Sequence, residues 1–399
     1  MSETFAPLRL KKNEERRLRA GHLWVFSNEI DTAQTPLSGF EAGQPVEIQG
    51  HSGKVIGTGY ANPNSLITAR LVSRDRKHPL SDSLLVHRIK VALSLRETLF
   101  DKPCYRLIFG ESDGLPGVVV DRFGDVLVVQ ITTAGMERMK DALLAALEKV
   151  LKPTAVLWRN DSSIRKLEGL DSYVEPALGE VPETVALEEN GVQFEAPIIG
   201  GQKTGWFYDH RMNRARLAPY VQGKRVLDVF SYVGGWGVQA AAFGASEVAC
   251  VDSSESALDM AHHNAELNGV ADKFVGVEGD AFEALKSLRL DHEKFDVVIL
   301  DPPAFIKRKK DFKQGVEGYR RLNQLGMQVL QKDGILVSAS CSHHLPHQKL
   351  QDLMLQSSVH LDRTLQVLEQ GHQGPDHPVH PAIPESAYIK AIFSRVLWR

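Results

Sequence analysis

The sequence predicts a multidomain α/β protein in three parts: a small N-terminal β-barrel, a central α+β domain, and a C-terminal, mostly parallel sheet covered by helices on both faces. Three observations predict it. From about residue 186 strand-like and helix-like segments alternate, the rhythm of βαβ units. Residues 1–75 instead carry short β-rich segments punctuated by Gly, Pro, Asn and Ser. And 399 residues exceed one ordinary domain.

In chain order, the first strands are expected at Gln44-Pro-Val-Glu-Ile-Gln, Lys54-Val-Ile-Gly-Thr-Gly-Tyr and Ser65-Leu-Ile-Thr-Ala-Arg-Leu-Val. The polar, proline-ended Arg74-Asp-Arg-Lys-His-Pro closes this domain, placing the boundaries at 1–75, 76–185 and 186–399. Ser81 to Leu99 repeats apolar residues at helical spacing (Leu84, Leu85, Ile89, Ala92, Leu93, Leu95), and Met136 to Leu151 also reads as helical. Gly117-Val-Val-Val and Val126-Leu-Val-Val-Gln-Ile read as strands around a turn at Asp121-Arg-Phe-Gly-Asp, and Ala155-Val-Leu-Trp as a third. The central domain ends in a stretch rich in proline and glutamate, Pro176 to Pro182. Beyond it, strands are expected at 225–230, 247–252, 273–277, 295–300 and 334–341, with helices at 235–243, 254–268, 281–289 and 317–331.

Composition narrows the function. No apolar run approaches the ~20 residues of a membrane span, and the polar, basic N-terminus lacks a signal-peptide core, so the expected place is the cytoplasm with no membrane partner. Three widely spaced cysteines, Cys104, Cys250 and Cys341, argue against a disulfide framework and a cysteine zinc site. A net charge of −3 gives no global pull on nucleic acid, so any such contact falls to local patches. Two exist: residues 1–20, with Arg9, Lys11, Lys12, Arg16, Arg17 and Arg19 against Glu3, Glu14 and Glu15, and residues 306–321, with Lys307, Arg308, Lys309 and Lys310 at their head. Solvated charged faces are the commoner fate of such runs.

The first C-terminal strand leads into Asp228-Val-Phe-Ser-Tyr-Val-Gly-Gly-Trp-Gly and a helix. Ligands of open parallel sheets bind beyond the strand carboxyl ends. Gly234 and Gly235 let backbone pass close to a bound molecule, and the dinucleotide G-x-G-x-x-G pattern is absent. An acid at Asp228 suits a ligand bearing a positive group and would repel a pyrophosphate, which fits the amino-acid part of S-adenosylmethionine. Asp252 ends the second strand, where a carboxylate can accept from ribose hydroxyls; Asp280 follows the third, within reach of an adenine amino group. Each acid alone is equally suited to cap the next helix; together, behind a glycine turn, they point to the cofactor.

The fourth strand delivers Asp301-Pro-Pro-Ala-Phe, whose prolines stiffen the turn. Such a turn can face a flipped base, with Phe305 as a stacking surface or as core. The fifth strand ends in Ser338-Ala-Ser-Cys341-Ser-His-His. If strands four and five are neighbours, Asp301 and Cys341 emerge at one rim. A thiolate added to C6 of cytosine makes C5 nucleophilic enough to take a methyl group, while Asp301 hydrogen-bonds or protonates N3. Cys250, mid-strand, and Cys104 read as structural.

In combination, Gly21-His-Leu-Trp-Val-Phe-Ser, Gly110-Glu-Ser-Asp-Gly-Leu-Pro-Gly, Asp121-Arg-Phe-Gly, Lys203-Thr-Gly-Trp-Phe-Tyr-Asp-His-Arg, Phe230-Ser-Tyr-Val-Gly-Gly, Asp301-Pro-Pro-Ala-Phe and Ser340-Cys-Ser resemble the bacterial large-subunit rRNA cytosine-C5 methyltransferase family over nearly the whole chain. The resemblance implies a PUA RNA-binding module, a central α+β domain and a Rossmann-like class I methyltransferase domain with 23S rRNA as substrate. It also implies Cys341 as sole nucleophile, since Ala304 stands where many related enzymes carry a second cysteine. The Lys203–Arg211 segment and Phe230 would line the cofactor pocket, with Tyr208 and Asp209 as contacts. Lys307, Arg308, Lys309 and Lys310 become a clamp on RNA phosphates, as does the N-terminus. Rival readings are methylation of an exocyclic amine of adenine or guanine, of a protein or small molecule, or a non-catalytic RNA-binding assembly factor. The oligomeric state stays open, a homodimer included.

Overall fold

A computed structural model describes residues 5–398; Met1 to Thr4, with Glu3 of the N-terminal charged run, and Arg399 lie outside the described residues. The chain forms two compact units. The first comprises Met1–Val185, Pro197–Trp206 and Pro375–Ser386, the second Ala186–Ala196, Phe207–Gly374 and Ala387–Arg399.

The first unit holds two five-stranded sheets. In one, β1 (Ala6–Arg9), β2 (Trp24–Phe26), β3 (Gln44–Gln49), β4 (Val55–Ala61) and β5 (Ile67–Ser73) run in the order β1-β3-β4-β5-β2 around Leu8, Val25, Val46, Ile48 and Leu71. The three expected strands are all present. The other sheet orders β6 (Cys104–Phe109), β7 (Val118–Phe123), β8 (Val126–Ile131), β9 (Ala155–Asn160) and β10 (Tyr173–Leu178) as β10-β9-β8-β7-β6. Helix Asp82–Leu99, capped by Ser81 accepting from the Leu84 amide, buries Leu85, Ile89 and Ala92. The helix expected over Met136 to Leu151 is two, Ala134–Arg138 and Lys140–Leu151, broken at Met139. The stretch rich in proline and glutamate begins inside β10: Pro176 is tolerated because it lies on the edge strand, where the register shifts.

Strands β11 (Thr184–Glu189) and β12 (Val192–Pro197) pair with each other. The second unit is built on seven strands, β13 (Arg225–Val229), β14 (Glu247–Asp252), β15 (Phe274–Glu278), β16 (Phe295–Leu300), β17 (Leu330–Ser340), β18 (Arg363–Gly371) and β19 (Lys390–Trp398). Their order is β15-β14-β13-β16-β17-β19-β18. β13 to β17 are parallel, and β19 inserts antiparallel between β17 and β18. The mostly parallel sheet is as expected. Strand order reverses at the β13/β16 pair, the position where such sheets open a ligand crevice. Val226, Leu227, Val297, Val298 and Leu336 are buried, as residues of a doubly covered parallel sheet must be. Helices Gly237–Ala242, Glu255–Leu267 and Ala281–Leu290 match expectation closely, whereas the fourth, Phe312–Gln328, starts five residues earlier than predicted. Gly315 and Gly318 in its first turns weaken the helical signal. They are there because a Cβ at Gly315 would stand 2.3 Å from Ile306 Cγ1 and 2.8 Å from the Phe305 carbonyl oxygen.

A candidate active site at the strand ends

After β13 the chain turns sharply. Phe230 (φ 67°), Tyr232 (φ 50°) and Gly234 (φ 82°) all occupy the left-handed region, which non-glycine residues rarely adopt. The turn is pinned from below. The amides of Phe230 and Ser231 donate to the Val251 carbonyl at 2.9 and 3.1 Å, and the Tyr232 amide donates to Asp252 Oδ2 at 2.8 Å. Gly234 is also required by packing, because a Cβ there would lie 2.7 Å from Val238 Cγ2.

Asp228 is wholly buried under this turn. Its Oδ2 accepts from the Gly237 amide at 2.9 Å, while Oδ1 has no hydrogen-bond partner among the described residues. Burial pushes this carboxyl up to about 8; the Gly237 N–H opposes the shift, and the charges of Asp301 and Asp252 add to it. Cys250, beside it, is buried and its thiol is pushed up by burial and by Asp228, as befits an inert residue. Asp252 accepts at Oδ1 from the Ser254 amide (3.0 Å), so both its oxygens already hold backbone. Asp280, exposed, caps helix Ala281–Leu290 by accepting at Oδ1 from the Phe282 and Glu283 amides, and Oδ2 has no partner among the described residues. Tyr208 and Asp209 point inward: Tyr208 is fully buried with the Arg211 guanidinium 5.1 Å from its ring centroid, and Asp209 Oδ2 accepts from the Tyr388 hydroxyl at 2.7 Å. Of the Lys203–Arg211 segment, only Phe207–Arg211 belongs to the unit that carries these strand ends.

Asp301 leaves the end of β16, and Cys341 leaves the end of the adjacent β17, where Leu300 is level with Ser338. The Asp301 side chain is 19% exposed. Its Oδ2 accepts from the Trp236 indole N–H at 2.9 Å, and His210 Nε2 stands 3.4 Å from Oδ1. Burial alone would raise the Asp301 carboxyl; the charge and contact of His210, with the Trp236 donor, outweigh it and hold the carboxyl below its ordinary range. Reciprocally, burial would lower His210, and Asp301 overturns this to raise it. Asp301 is therefore an ionised acceptor at neutral pH. Neither His210 nor Trp236 was singled out by motif reading, because each reads as core until the fold brings it to Asp301.

Cys341 is partly exposed, whereas Cys104 and Cys250 are buried. The two loops are stitched together by the buried Tyr319, which sequence reading also passed over, since a tyrosine amid helical leucines looks like packing. Its hydroxyl accepts from Ser340 Oγ at 2.9 Å, bonds Ser342 Oγ at 2.8 Å, and accepts from the Phe305 amide at 3.5 Å. Ser342 Oγ in turn accepts from the Ile306 amide at 3.3 Å. Phe305 lies half-buried in an aromatic cluster, 4.8 Å from Tyr319, 6.2 Å from Phe282 and 6.4 Å edge-on from Phe230 by ring centroids. Lys307, Arg308, Lys309 and Lys310 follow, all exposed. Arg308 pairs with Asp311 at 3.1 Å, and the three lysines have no ion-pair partner among the described residues. In the first unit Arg17 is spent on Glu29 at 2.6 Å, while Lys12, Arg16 and Arg19 are exposed.

Residues 8–74 match the PUA-like domain, and residues 111–395 match the S-adenosylmethionine-dependent methyltransferase family. The chain belongs to the S-adenosylmethionine-dependent methyltransferases. Relatives of this methyltransferase include the ribosomal RNA large subunit methyltransferase I of Salmonella arizonae, 38% identical over 406 residues with both chains covered to 100%. That of Klebsiella pneumoniae is 36% identical over 398 residues, 98% of this chain and 99% of the relative. Among solved structures, a provisionally assigned SAM-dependent methyltransferase from Streptococcus mutans superimposes with a TM-score of 0.83 at 21% identity, covering 98% of this chain and 100% of that one. A further crystal structure, of a provisionally assigned methyltransferase complexed with SAH, gives 0.84, also at 21% and with coverage of 98% and 100%. At that identity the likeness establishes the fold. The methyltransferase's cofactor is S-adenosylmethionine, and the strand-end residues suit it. The buried Oδ1 of Asp228, without a hydrogen-bond partner among the described residues, has the chemistry to accept from a cationic donor such as the amino group of the cofactor's methionine part.

Among the described residues no helix is long and apolar enough to cross a membrane.

Proposed function

We propose that this methyltransferase modifies C5 of a cytosine in 23S ribosomal RNA, in the cytoplasm, through a transient bond between Cys341 and C6. What carries the reading is a partly exposed thiol and an ionised carboxylate on neighbouring strand ends, tied by one tyrosine. The names of the curated relatives and the PUA-like match over residues 8–74 support an RNA of the large ribosomal subunit. We assign residues 1–75 to RNA binding, 76–185 to a central α+β domain and 186–399 to catalysis.

In this reading Asp228, Phe230, Gly234, Asp252 and Asp280 hold the cofactor, with Tyr208 and Asp209 supporting the pocket wall from behind. Bound, the cofactor supplies an electrophilic methyl group on a sulfonium. The Cys341 thiolate adds to C6, forming an S–C bond and shifting the C5–C6 electron pair so that C5 becomes nucleophilic. Asp301, kept anionic by His210 and Trp236, accepts from the cytosine amino edge and orients the ring. Once C5 is methylated, loss of its proton to a base expels the Cys341 thiolate and restores the aromatic ring. Phe305 backs the base from its aromatic cluster, and Lys307, Arg308, Lys309 and Lys310 grip flanking phosphates.

The test is incubation with tritiated S-adenosylmethionine and 23S rRNA, with the product located by mass spectrometry. The expected product is 5-methylcytosine, and Cys341→Ala abolishes it while cofactor binding survives. Turnover by Cys341→Ala, or label on an exocyclic amine, would overturn the reading.

A further inference from the structure

β19 lies directly against β17, and its first residue, Lys390, is level with Ser340, the residue before Cys341. Lys390 is only 7% exposed. Its Nζ donates to the carbonyl of Ser342 at 2.6 Å and to that of Leu345 at 2.9 Å, so the ammonium grips the chain just beyond the thiol. Among the described residues no carboxylate forms an ion pair with it. A buried cation without an anion is expensive, and proteins rarely keep one unless an anion forms beside it.

Resting on the assignment of Cys341 as nucleophile, we infer that Lys390 is a positioning residue that holds the Cys341 loop and supplies the charge stabilising its thiolate. An opposite charge close by favours the ionised thiol. The thiolate is the species that adds to C6, and it is restored when the product leaves, so the lysine serves both at attack and at release. Burial lowers the Lys390 ammonium to about 8, and the neighbouring Cys341 opposes that fall, so the side chain keeps its charge at neutral pH. Other titratable groups also lie around this loop. Tyr319, from helix Phe312–Gln328, has its hydroxyl raised by burial and stays neutral. His343 and His344 belong to the loop itself, ring against ring at 5.2 Å. Asp301, on the neighbouring strand end, is an anion with His210 beside it. Lys390, gripping the chain just beyond the thiol, is placed to offset it.

The experiment is the pH dependence of Cys341 alkylation by iodoacetamide in the full-length protein, without RNA or cofactor, each cysteine being quantified by mass spectrometry. In the parent protein the Cys341 inflection is expected below the ordinary thiol value of about 8.5. Lys390→Met is expected to raise it by about one pH unit, roughly a tenfold loss of thiolate at pH 7, and Lys390→Arg to leave it near the parent. Turnover by Lys390→Met should recover toward the parent above pH 9, which a merely structural defect would not do. A parent inflection at or above the ordinary thiol value overturns the inference without any variant. So does an unchanged inflection in folded Lys390→Met. Because alkylation needs no turnover, these outcomes are separate from survival of activity in Cys341→Ala, which would instead sink the nucleophile assignment.

Discussion

Asp228 and Asp301 sit on neighbouring parallel strands of one sheet, both largely withdrawn from water, yet their carboxyls are displaced in opposite directions. Asp228, with a single backbone donor on Oδ2 and nothing on Oδ1, is pushed up to about 8. Asp301, with the Trp236 indole and His210 at its two oxygens, is held down. Burial is common to both, so it cannot be what separates them; the charge of His210 and the Trp236 indole donor decide. One acid is left wanting a cation, and the other is supplied with its own before any ligand arrives. That division suits a site with two occupants, a cationic cofactor over β13 and a neutral base over β16.

The largest effect is expected at the supplied acid. Asp301→Asn keeps the shape and discards the charge, and turnover should fall about 100- to 1,000-fold, the scale of losing one preorganised polar group. Affinity for S-adenosylmethionine in calorimetry should change little; an equal loss of both would erase the distinction drawn between the two acids. At the wanting acid the pattern reverses. Asp228→Asn should weaken cofactor affinity about 10- to 100-fold, the cost of a lost charge-assisted hydrogen bond. Because a cation at Oδ1 favours the ionised form, cofactor binding near pH 7 should release a proton in the parent protein and none in Asp228→Asn. Calorimetry in buffers of different ionisation enthalpy measures this. The free protein offers a second check. A carboxyl whose folded pKa lies above its unfolded value stabilises fully below about 3.9 and loses that contribution as pH rises to about 8. Thermal melts from pH 5 to 8 should show stability falling, with a flatter slope in Asp228→Asn.

How much of this was legible in the sequence depends on where the determining contacts lie along the chain. Strands β13 to β17 and the acids at their ends were readable because apolar runs, turn residues and an Asp-Pro-Pro motif are local signals. β10 was not, since Pro176 argues against a strand unless the strand is known to be an edge. The start of helix Phe312–Gln328 was hidden for a related reason: Gly315 and Gly318 cost helix propensity and are repaid only by packing against Phe305 and Ile306. In the site, Asp228, Asp301 and Cys341 could be picked out, but their charge states could not. The two groups that hold Asp301, His210 and Trp236, reach it from 91 and 65 residues away in the sequence.

A smaller effect is expected on the exposed basic segment, which belongs to neither acid. Changing Lys307, Lys309 and Lys310 together to Gln should weaken RNA binding and make the slope of log affinity against log salt shallower by about 2, if each meets one phosphate of a single strand. Arg308→Gln should do less, because Asp311 already occupies it. Cofactor affinity and the pH behaviour of both acids should be untouched, and any shift there would mean that the segment does more than hold RNA.

The smallest effect on chemistry should come from Tyr319→Phe, and it separates charge from scaffolding. The ring stays in the aromatic cluster, but Ser340, Ser342 and the Phe305 amide lose their shared hydroxyl. Each such bond contributes about 1 kcal/mol net, so chemical denaturation should show a loss of about 1–3 kcal/mol. The Asp301–His210 and Asp301–Trp236 contacts do not pass through this hydroxyl. Turnover should therefore fall only a few-fold, with its pH profile unmoved. A displaced profile would mean that the carboxylate's charge depends on the loop's geometry as well as on its two donors, and the contrast between the two acids would then rest on three elements of the sheet instead of two.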